Sequence, residues 1–370
     1  MDHSMITKLS AIGAAFRLPG TFQAFEELKK GNVNSTYLVR YRLSDGTERP
    51  YLFQKVNTYA FRRPVELMEN ADKITRHIQS KRPDAMTLQF YYAESDGKLR
   101  NYLFEGDDFW RVMIYIPSVT FLSCDDPVII RNAGIAFGEF QTALSDFDPA
   151  ELFYTIPGFH DTRKRYEYLK SSAHNDLAGR KDTVSDELAF LLAVEDKACL
   201  LTDLFNAGKL PLRVTHNDTK INNVLFDERT LEPLAVIDLD TVMPGVIGSD
   251  FGDAIRYAAN FTEEDSTETE KIGVDMKVFE AFADGFLSRT ARQLTETEIE
   301  TLAHACYSLT CELATRFLAD YLDGDKYFKI RYPDHNLVRA RNQIVLAKEM
   351  ERHMDEMQRL VETYVKRYRS

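Results

Sequence analysis

Residues 212–260 read LRVTHNDTKINNVLFDERTLEPLAVIDLDTVMPGVIGSDFGDAIRYAAN, and the rest of the chain is best understood from this stretch outward. It contains three short apolar runs. Asp218 follows the first (Leu212 to Thr215), Asn223 opens the second (Asn223 to Phe226), and Asp238 sits near the end of the third (Leu234 to Leu239). The turn-forming segment DERTLEP between the second and third runs predicts that they pair as an antiparallel hairpin. The start of one strand then faces the end of the other, so Asn223 and Asp238 meet although fifteen positions separate them.

An amide oxygen beside a carboxylate suits Mg²⁺, which keeps waters and takes few protein ligands when phosphates complete its shell. Asp218 lies in the loop five residues before Asn223, where a carboxylate can accept the proton of an attacking hydroxyl. Lys220 is placed to neutralise charge on phosphate oxygens. His216 is expected to orient the loop backbone. Each acid taken singly would serve as a turn or cap residue; the triple Asp218, Asn223, Asp238 between β-type runs points instead to phosphoryl transfer. Asp250 and Asp253 are expected to be structural, as N-cap and capping-box partner of the helix DFGDAIRYAAN.

Upstream, residues 5–30 are expected to be helical, ending in FQAFEELKKG with Gly31 as the stop. The period then changes. STYLVRYR, the turn Asp45-Gly46 and YLFQKV predict a β-hairpin, entered through a Gly/Asn/Ser turn whose Asn32, Asn34 and Ser35 could present polar groups to phosphates. Lys55 lies on the return strand as a candidate phosphate ligand, with Glu66 or Glu69 of the helix Pro64–Gln79 as its partner. A second hairpin turns at Asp96-Gly97, and WRVMIYI (Trp110–Ile116) is a buried-type strand ended by Pro117. Backbone groups near Tyr115 and Ile116 would bind adenine, while Phe109 and Trp110 belong to the core.

The remainder reads as helical outside the central stretch. Pro127–Leu144 is expected to tolerate Gly134 and Gly138 through tight packing; Ser185–Phe205 and Asp334–Arg369 read as single long helices, the last covering the outer surface. Arg163, Lys164 and Arg165 read as a solvated helix start, and Glu263 to Glu270 as an exposed, mobile acidic loop.

At 370 residues the chain exceeds what one core usually serves. The pattern predicts an α+β, bilobal, protein-kinase-like fold: a small β-rich lobe with one main helix over residues 1–116 and a larger, mostly helical lobe over 117–370. A net charge of −12 argues against a nucleic-acid partner. The four cysteines show no metal spacing, and no apolar run approaches the roughly 18 residues of a membrane span. A cytoplasmic monomer without a membrane partner is the expectation.

The motifs NVNSTYL, HNDTKINNVLFD, AVIDLDTVMPG, DFGDAIRYAAN and ELATRFLADYLDGDKYFKIRYPDHNLVRARNQI resemble the aminoglycoside-phosphotransferase-type kinases, the last block resembling their hexosamine branch. The resemblance spans nearly the whole chain. It implies Asp218 as base, Asn223 and Asp238 as Mg²⁺ ligands, and an ATP site between the turn at Asn32 to Ser35 and the Tyr115–Ile116 hinge. It also implies Arg316 and Tyr327 as sugar contacts, with the anomeric hydroxyl of N-acetylglucosamine or N-acetylgalactosamine as the acceptor. A kinase of another alcohol (aminoglycoside, choline or homoserine) and a non-catalytic nucleotide binder are the alternatives.

Overall fold

The computed structural model describes residues 3–28 and 33–370. Its smaller part is built on a five-stranded antiparallel sheet. Helix α1 (His3–Ala15) leads into β1 (Thr21–Leu28), β2 (Ser35–Arg42) and β3 (Glu48–Val56). After α2 (Pro64–Lys81) come the small hairpin β4 (Ala93–Ser95) and β5 (Lys98–Arg100), then β6 (Leu103–Glu105) and β7 (Asp108–Ile114). The sheet order is β1-β2-β3-β7-β6. The sequence expectation of one helix through residue 30 is overturned in its second half, where FQAFEEL is strand. Phe22 and Phe25 stack edge-on against Tyr41 and Tyr37 of β2, so cross-strand aromatic packing overrides the helical propensity of the glutamates. Gly31 lies outside the described residues.

The sheet has two covered faces. Tyr51, Phe53, Val39 and Trp110 pack with Leu9 and Ile12 of α1, whereas Leu52 and Met113 face Ala71 and Ile74 of α2 together with Val214 and Val242 of the larger part. Because side chains alternate along a strand, this division fixes the face that every β3 and β7 residue occupies. Helix α2 also crosses to the larger part: the buried Asn70 donates to the carbonyls of Val242 at 3.0 Å and Phe153 at 2.9 Å.

The larger part starts with α3 (Pro127–Ala143) and α4 (Thr162–Asn175). The expected helix Ser185–Phe205 is broken into α5 (Ser185–Ala193), α6 (Glu195–Ala198) and α7 (Leu200–Asn206), with Val194 and Cys199 as the breaks. Strands β8 (Arg213–Thr215), β9 (Val224–Phe226), β10 (Pro233–Val236) and β11 (Met243–Gly245) follow, paired as β8 with β11 and β9 with β10. Helices α8 (Ile247–Ala258), α9 (Met276–Thr290), α10 (Glu296–Leu322), α11 (His335–Arg352) and α12 (Met354–Arg369) complete it. The expected single C-terminal helix is divided at His353, and α11 is core rather than cover: Leu346, Ala347 and Met350 are fully buried and belong to the main cluster around α10.

Glycines let α3 and α9 touch. A Cβ on Gly134 would lie 2.4 Å from the Phe282 carbonyl oxygen, and one on Gly285 would lie 2.0 Å from that of Arg131, so neither position admits a side chain without moving a helix. Phe279, Phe282, Phe286 and Leu287 face inward from α9. No described helix is long and apolar enough to cross a membrane.

Candidate active site

Strand β8 is held by β11, and the chain turns sharply after it at Asn217, which is left-handed with φ 65°. Helix α8 carries this loop. It begins at Ile247, four residues earlier than an Asp250 cap would place it, so Asp250 and Asp253 lie within the helix and cap nothing. Instead Asp250 accepts from the backbone N–H of His216 at 2.9 Å and of Asn217 at 2.8 Å, while Gln141 of α3 donates to it at 2.7 Å. Asp253 accepts from the Thr219 N–H at 3.2 Å, and the Thr219 hydroxyl donates to the Asp250 carbonyl at 2.6 Å. Three of the four N–H groups from His216 to Thr219 are thus held by one helix. The fourth, of Asp218, donates to His216 Nδ1 at 3.3 Å, and the opposite ring nitrogen of His216 donates to the Ile237 carbonyl at 2.9 Å. His216 therefore orients the loop as expected, wedged edge-on against Phe137 and Phe140.

With its backbone tied down, the loop presents the Asp218 carboxylate to Lys220 Nζ at 2.8 Å and to Asn223 Nδ2 at 3.1 Å. Burial alone would raise the Asp218 carboxyl. The Lys220 charge and hydrogen bond, with His216 and Asn223, outweigh that and hold it below the usual aspartate range, which keeps it an acceptor. The reciprocal effect of Asp218 pushes Lys220 up.

The β9–β10 hairpin pairs Val224 with Val236, and Ile237 N–H donates to the Asn223 carbonyl at 2.9 Å. Asn223 and Asp238 therefore sit together at one end of the hairpin, as the register predicted. Asp238 is left-handed, with φ 61°, a conformation that costs a non-glycine residue energy. Although its side chain reaches solvent, Asp238 is ringed by protein. That surrounding burial, then the charges of Asp240 and Asp218, push its carboxyl up to about 7. Crowded carboxylates whose ionisation is mutually opposed fit a divalent cation, which would remove the repulsion. Asn223 suits the same ion: its amide nitrogen is committed to Asp218, leaving the oxygen as the end available to metal.

Facing the loop is a wall built from α4 and α10. Residues Ser308, Glu312, Arg316 and Asp320 recur every fourth position along one side of an otherwise apolar helix. The fully buried Glu312 receives Thr162 Oγ1 at 2.8 Å and pairs with His160 Nδ1 at 2.9 Å; His160 Nε2 lies 3.5 Å from the Asn217 carbonyl, tying the wall to the residue before Asp218. Arg316 is enclosed by the rings of Phe159, Phe328 and Tyr327 at 5.3, 5.5 and 5.9 Å. Asp320 receives the backbone N–H groups of Lys326, Tyr327 and Phe328 and so shapes the loop that brings Tyr327 back over Arg316. Arg165 does not belong to a solvated helix start: its Nε is buried without a hydrogen-bond partner among the described residues, and burial, then the charge of Arg316, lower its pKa.

The smaller part supplies less than expected. Asn32 lies outside the described residues. Asn34 and Ser35 stand at the start of β2, and Asn34 is already engaged, donating to Asp240 at 2.8 Å and accepting the Asn57 N–H at 2.9 Å. Lys55 shares the α1 face with Tyr51 and Phe53 and donates to Asp108 at 3.1 Å, in company with Lys8. Neither expected partner reaches it, since Glu66 pairs with Arg63 and Glu69 is exposed. The cleft face of β3 carries Gln54, which holds Arg111 of β7. Tyr115 and Ile116 follow the last ladder residue of β7. The acidic loop is anchored through Glu264 to the buried Arg256 at 2.6 Å and through Asp265 to His335 at 3.1 Å. Together with Tyr257, Phe261 and Glu263 it lines a cavity of about 440 Å³, and the Tyr257 ring lies 5.8 Å from Lys220 Nζ.

Sequence reasoning missed Arg111, Asp240, His160 and Glu312. An arginine inside WRVMIYI and a glutamate one turn before Arg316 in an apolar helix were the available signals, because a charge on an apolar element needs a partner.

The comparisons with known proteins bear on the family and the fold. The profile of the phosphotransferase enzyme family, which includes the aminoglycoside phosphotransferases, matches residues 24–291. Among solved structures, an amicoumacin kinase in complex with AMP-PNP, Ca²⁺ and Ami superposes with a TM-score of 0.57 at 15% identity, covering 95% of this chain and 94% of that one. A microcompartment-associated aminopropanol kinase gives a TM-score of 0.60 at 16% identity, covering 95% of this chain and 98% of that one. The choline kinase LicA of Streptococcus pneumoniae gives 0.52 at 12%, with 94% and 99% covered. The fold is the α+β, two-lobed, kinase-like one, with the antiparallel sheet in the small lobe and the helices in the large lobe. Matched over more than half its length, the chain belongs to the phosphotransferase enzyme family.

Proposed function

We propose that the chain is an N-acetylhexosamine 1-kinase, transferring the γ-phosphoryl group of ATP to the anomeric hydroxyl of N-acetylglucosamine or N-acetylgalactosamine. ATP binds between a small lobe of residues 1–116 and a large lobe of residues 117–370, with adenine against the Tyr115–Ile116 backbone. Asp218 accepts the proton of the sugar hydroxyl, and Lys220 balances charge beside it. Asn223 and Asp238 hold Mg²⁺, whose chemistry is to neutralise phosphate charge and keep the leaving group in line.

The observation that carries the acceptor class is the cationic wall. Arg316, with Arg165 beside it, has no carboxylate bonded to it among the described residues and is stacked among three aromatic rings, while the buried Glu312 whose charge acts on both arginines is already held by Thr162 and His160. A guanidinium donates to hydroxyl, ring and carbonyl oxygens and repels an ammonium group, so this wall suits a neutral, oxygen-rich ring stacked near Tyr327 rather than an amine. The resemblance of residues 312–344 to the hexosamine branch names the sugar.

A second reading, an amine-bearing alcohol, has one observation in its favour: the cavity beside Lys220 is lined by Glu263, Glu264, Tyr257 and Phe261, groups that attract a cation. Arg256 already neutralises Glu264, which weakens it. Incubation with MgATP and a panel of N-acetylhexosamines, choline, aminopropanol and aminoglycosides, read by ADP release and phosphorus NMR, separates the two. An anomeric phosphate is expected with the sugars. ADP release with the amines alone would discard the hexosamine reading.

A further inference from the structure

A buried ion pair joins the two lobes beside the metal site. Arg111 of β7 is 3% exposed and donates to Asp240, which is 2% exposed and lies two residues beyond Asp238. Two buried charges repay their desolvation only when their remaining hydrogen-bonding capacity is also met. Here it is. The Arg111 Nε and Nη2 donate to Gln54 Oε1 at 2.8 and 2.5 Å, and Gln54 in turn donates to Thr36 Oγ1 at 2.9 Å. The second oxygen of Asp240 accepts from Asn34 Nδ2 at 2.8 Å, and Asn34 Oδ1 accepts the Asn57 N–H at 2.9 Å.

The network therefore runs from the turn entering β2, through the cleft faces of β3 and β7, to the turn that carries Asp238. Both Asp240 oxygens are committed, one to each strand-side donor. Asp240 is thus a tie between lobes, and the second carboxylate of AVIDLDT does different work from the first.

We propose that Asp240 is a positioning residue that couples the Asn34 turn to the metal-binding turn, so that the nucleotide-covering end of the small lobe and Asp238 move as one unit. Arg111 is its counterion and supplies, from β7, the buried cation that Lys55 on β3 cannot supply because it faces α1. Asn34 acts through Asp240 and Asn57, holding the turn in place. Opening the lobes must break both the Asn34–Asp240 bond and the Arg111–Asp240 pair, so the two lobes stay in register only while Asp240 is held from both strand-side donors. The inference rests on the nucleotide site proposed above and is independent of the acceptor.

The test is binding of Mg·AMP-PNP by calorimetry to the full chain and to Asn34→Ala, Asp240→Asn and the double variant, with Arg111→Lys and Arg111→Met in parallel. For groups that act through one shared bond, Asn34→Ala and Asp240→Asn should each weaken binding about tenfold, and the double variant should be no weaker than Asp240→Asn alone. Arg111→Lys should retain affinity within about threefold while Arg111→Met should not. A merely structural network would lower Tm in all variants and leave the Kd of the folded fraction unchanged. That result, or additive losses in the double variant, overturns the proposal. Should Asp240→Asn not fold, Asn34→Ala with Arg111→Met runs the cycle through Asp240 instead, and additive losses there overturn the proposal. Because no acceptor is present, failure of the sugar assignment leaves this outcome intact.

Discussion

The loop that presents Asp218 and the wall that faces it are made in different ways. Residues 216–219 are held through their own backbone, by two carboxylates of a helix about thirty residues downstream and by a hairpin that closes locally. The wall draws His160 and Glu312 together across 152 positions and depends on side-chain contacts between α4, α10 and the loop at Tyr327. Backbone anchoring gives a site whose geometry tolerates little change, which is what an in-line transfer requires. Side-chain anchoring gives a surface that can be refitted to another acceptor without disturbing the chemistry.

Substitutions on the two sides should separate along this line. Asp218→Asn removes the proposed proton acceptor and should lower kcat by ~10³-fold while the affinity for MgATP changes little, as steady-state kinetics with nucleotide binding will show. Retained turnover would remove Asp218 from the chemistry. Asp250→Asn touches no reactant. It leaves one of two consecutive backbone N–H groups poorly held, and kcat should fall by about 10²-fold through misplacement of Asp218, with both KM values nearly unchanged. If KM alone moved, the loop would not be what Asp250 holds.

On the wall, Glu312→Gln should cost ~1–3 kcal/mol of stability at neutral pH, since a buried charge-assisted network loses its acceptor charge. Burial acts to raise Glu312, but the His160 charge and hydrogen bond, with Arg165 and Arg316, prevail and hold its folded pKa below the normal value. The stabilisation is therefore complete above the unfolded glutamate pKa of about 4.3 and is lost as pH falls through the lower folded value. Urea titrations should show a constant gap between wild type and variant from neutral pH to about 5, narrowing below about 4. A gap that widened in acid would reverse the assigned direction.

Arg316→Met preserves much of the apolar contact and removes the donors. It should raise the acceptor KM ~10-fold with a smaller change in kcat. Equal effects on kcat and kcat/KM would move Arg316 into the transition state. The smallest effect belongs to Lys55→Met, within about twofold in KM for MgATP, because an ion pair with Asp108 at a partly exposed site contributes little and faces away from the cleft. A large rise there would contradict the assignment of the buried cation to Arg111.

What could be read from the chain alone was what local geometry dictates. Antiparallel pairing across a seven-residue connection brings Asn223 beside Asp238 whatever surrounds it, and Phe279, Phe282 and Phe286 must share a side because a helix repeats every 3.6 residues. Three outcomes needed the tertiary structure. Gln54 and Lys55 are neighbours on opposite faces of one strand, and only the packing of α1 on one face and α2 on the other decides which looks into the cleft. Asp250 reads as a cap until β8 is seen to lie against α8, since an unpaired carboxylate near a helix start and one that receives a loop's N–H groups have the same sequence. Arg111 and Asp240 stand 129 positions apart. A charge buried in a strand announces that it needs a partner, and only the meeting of the two lobes names it.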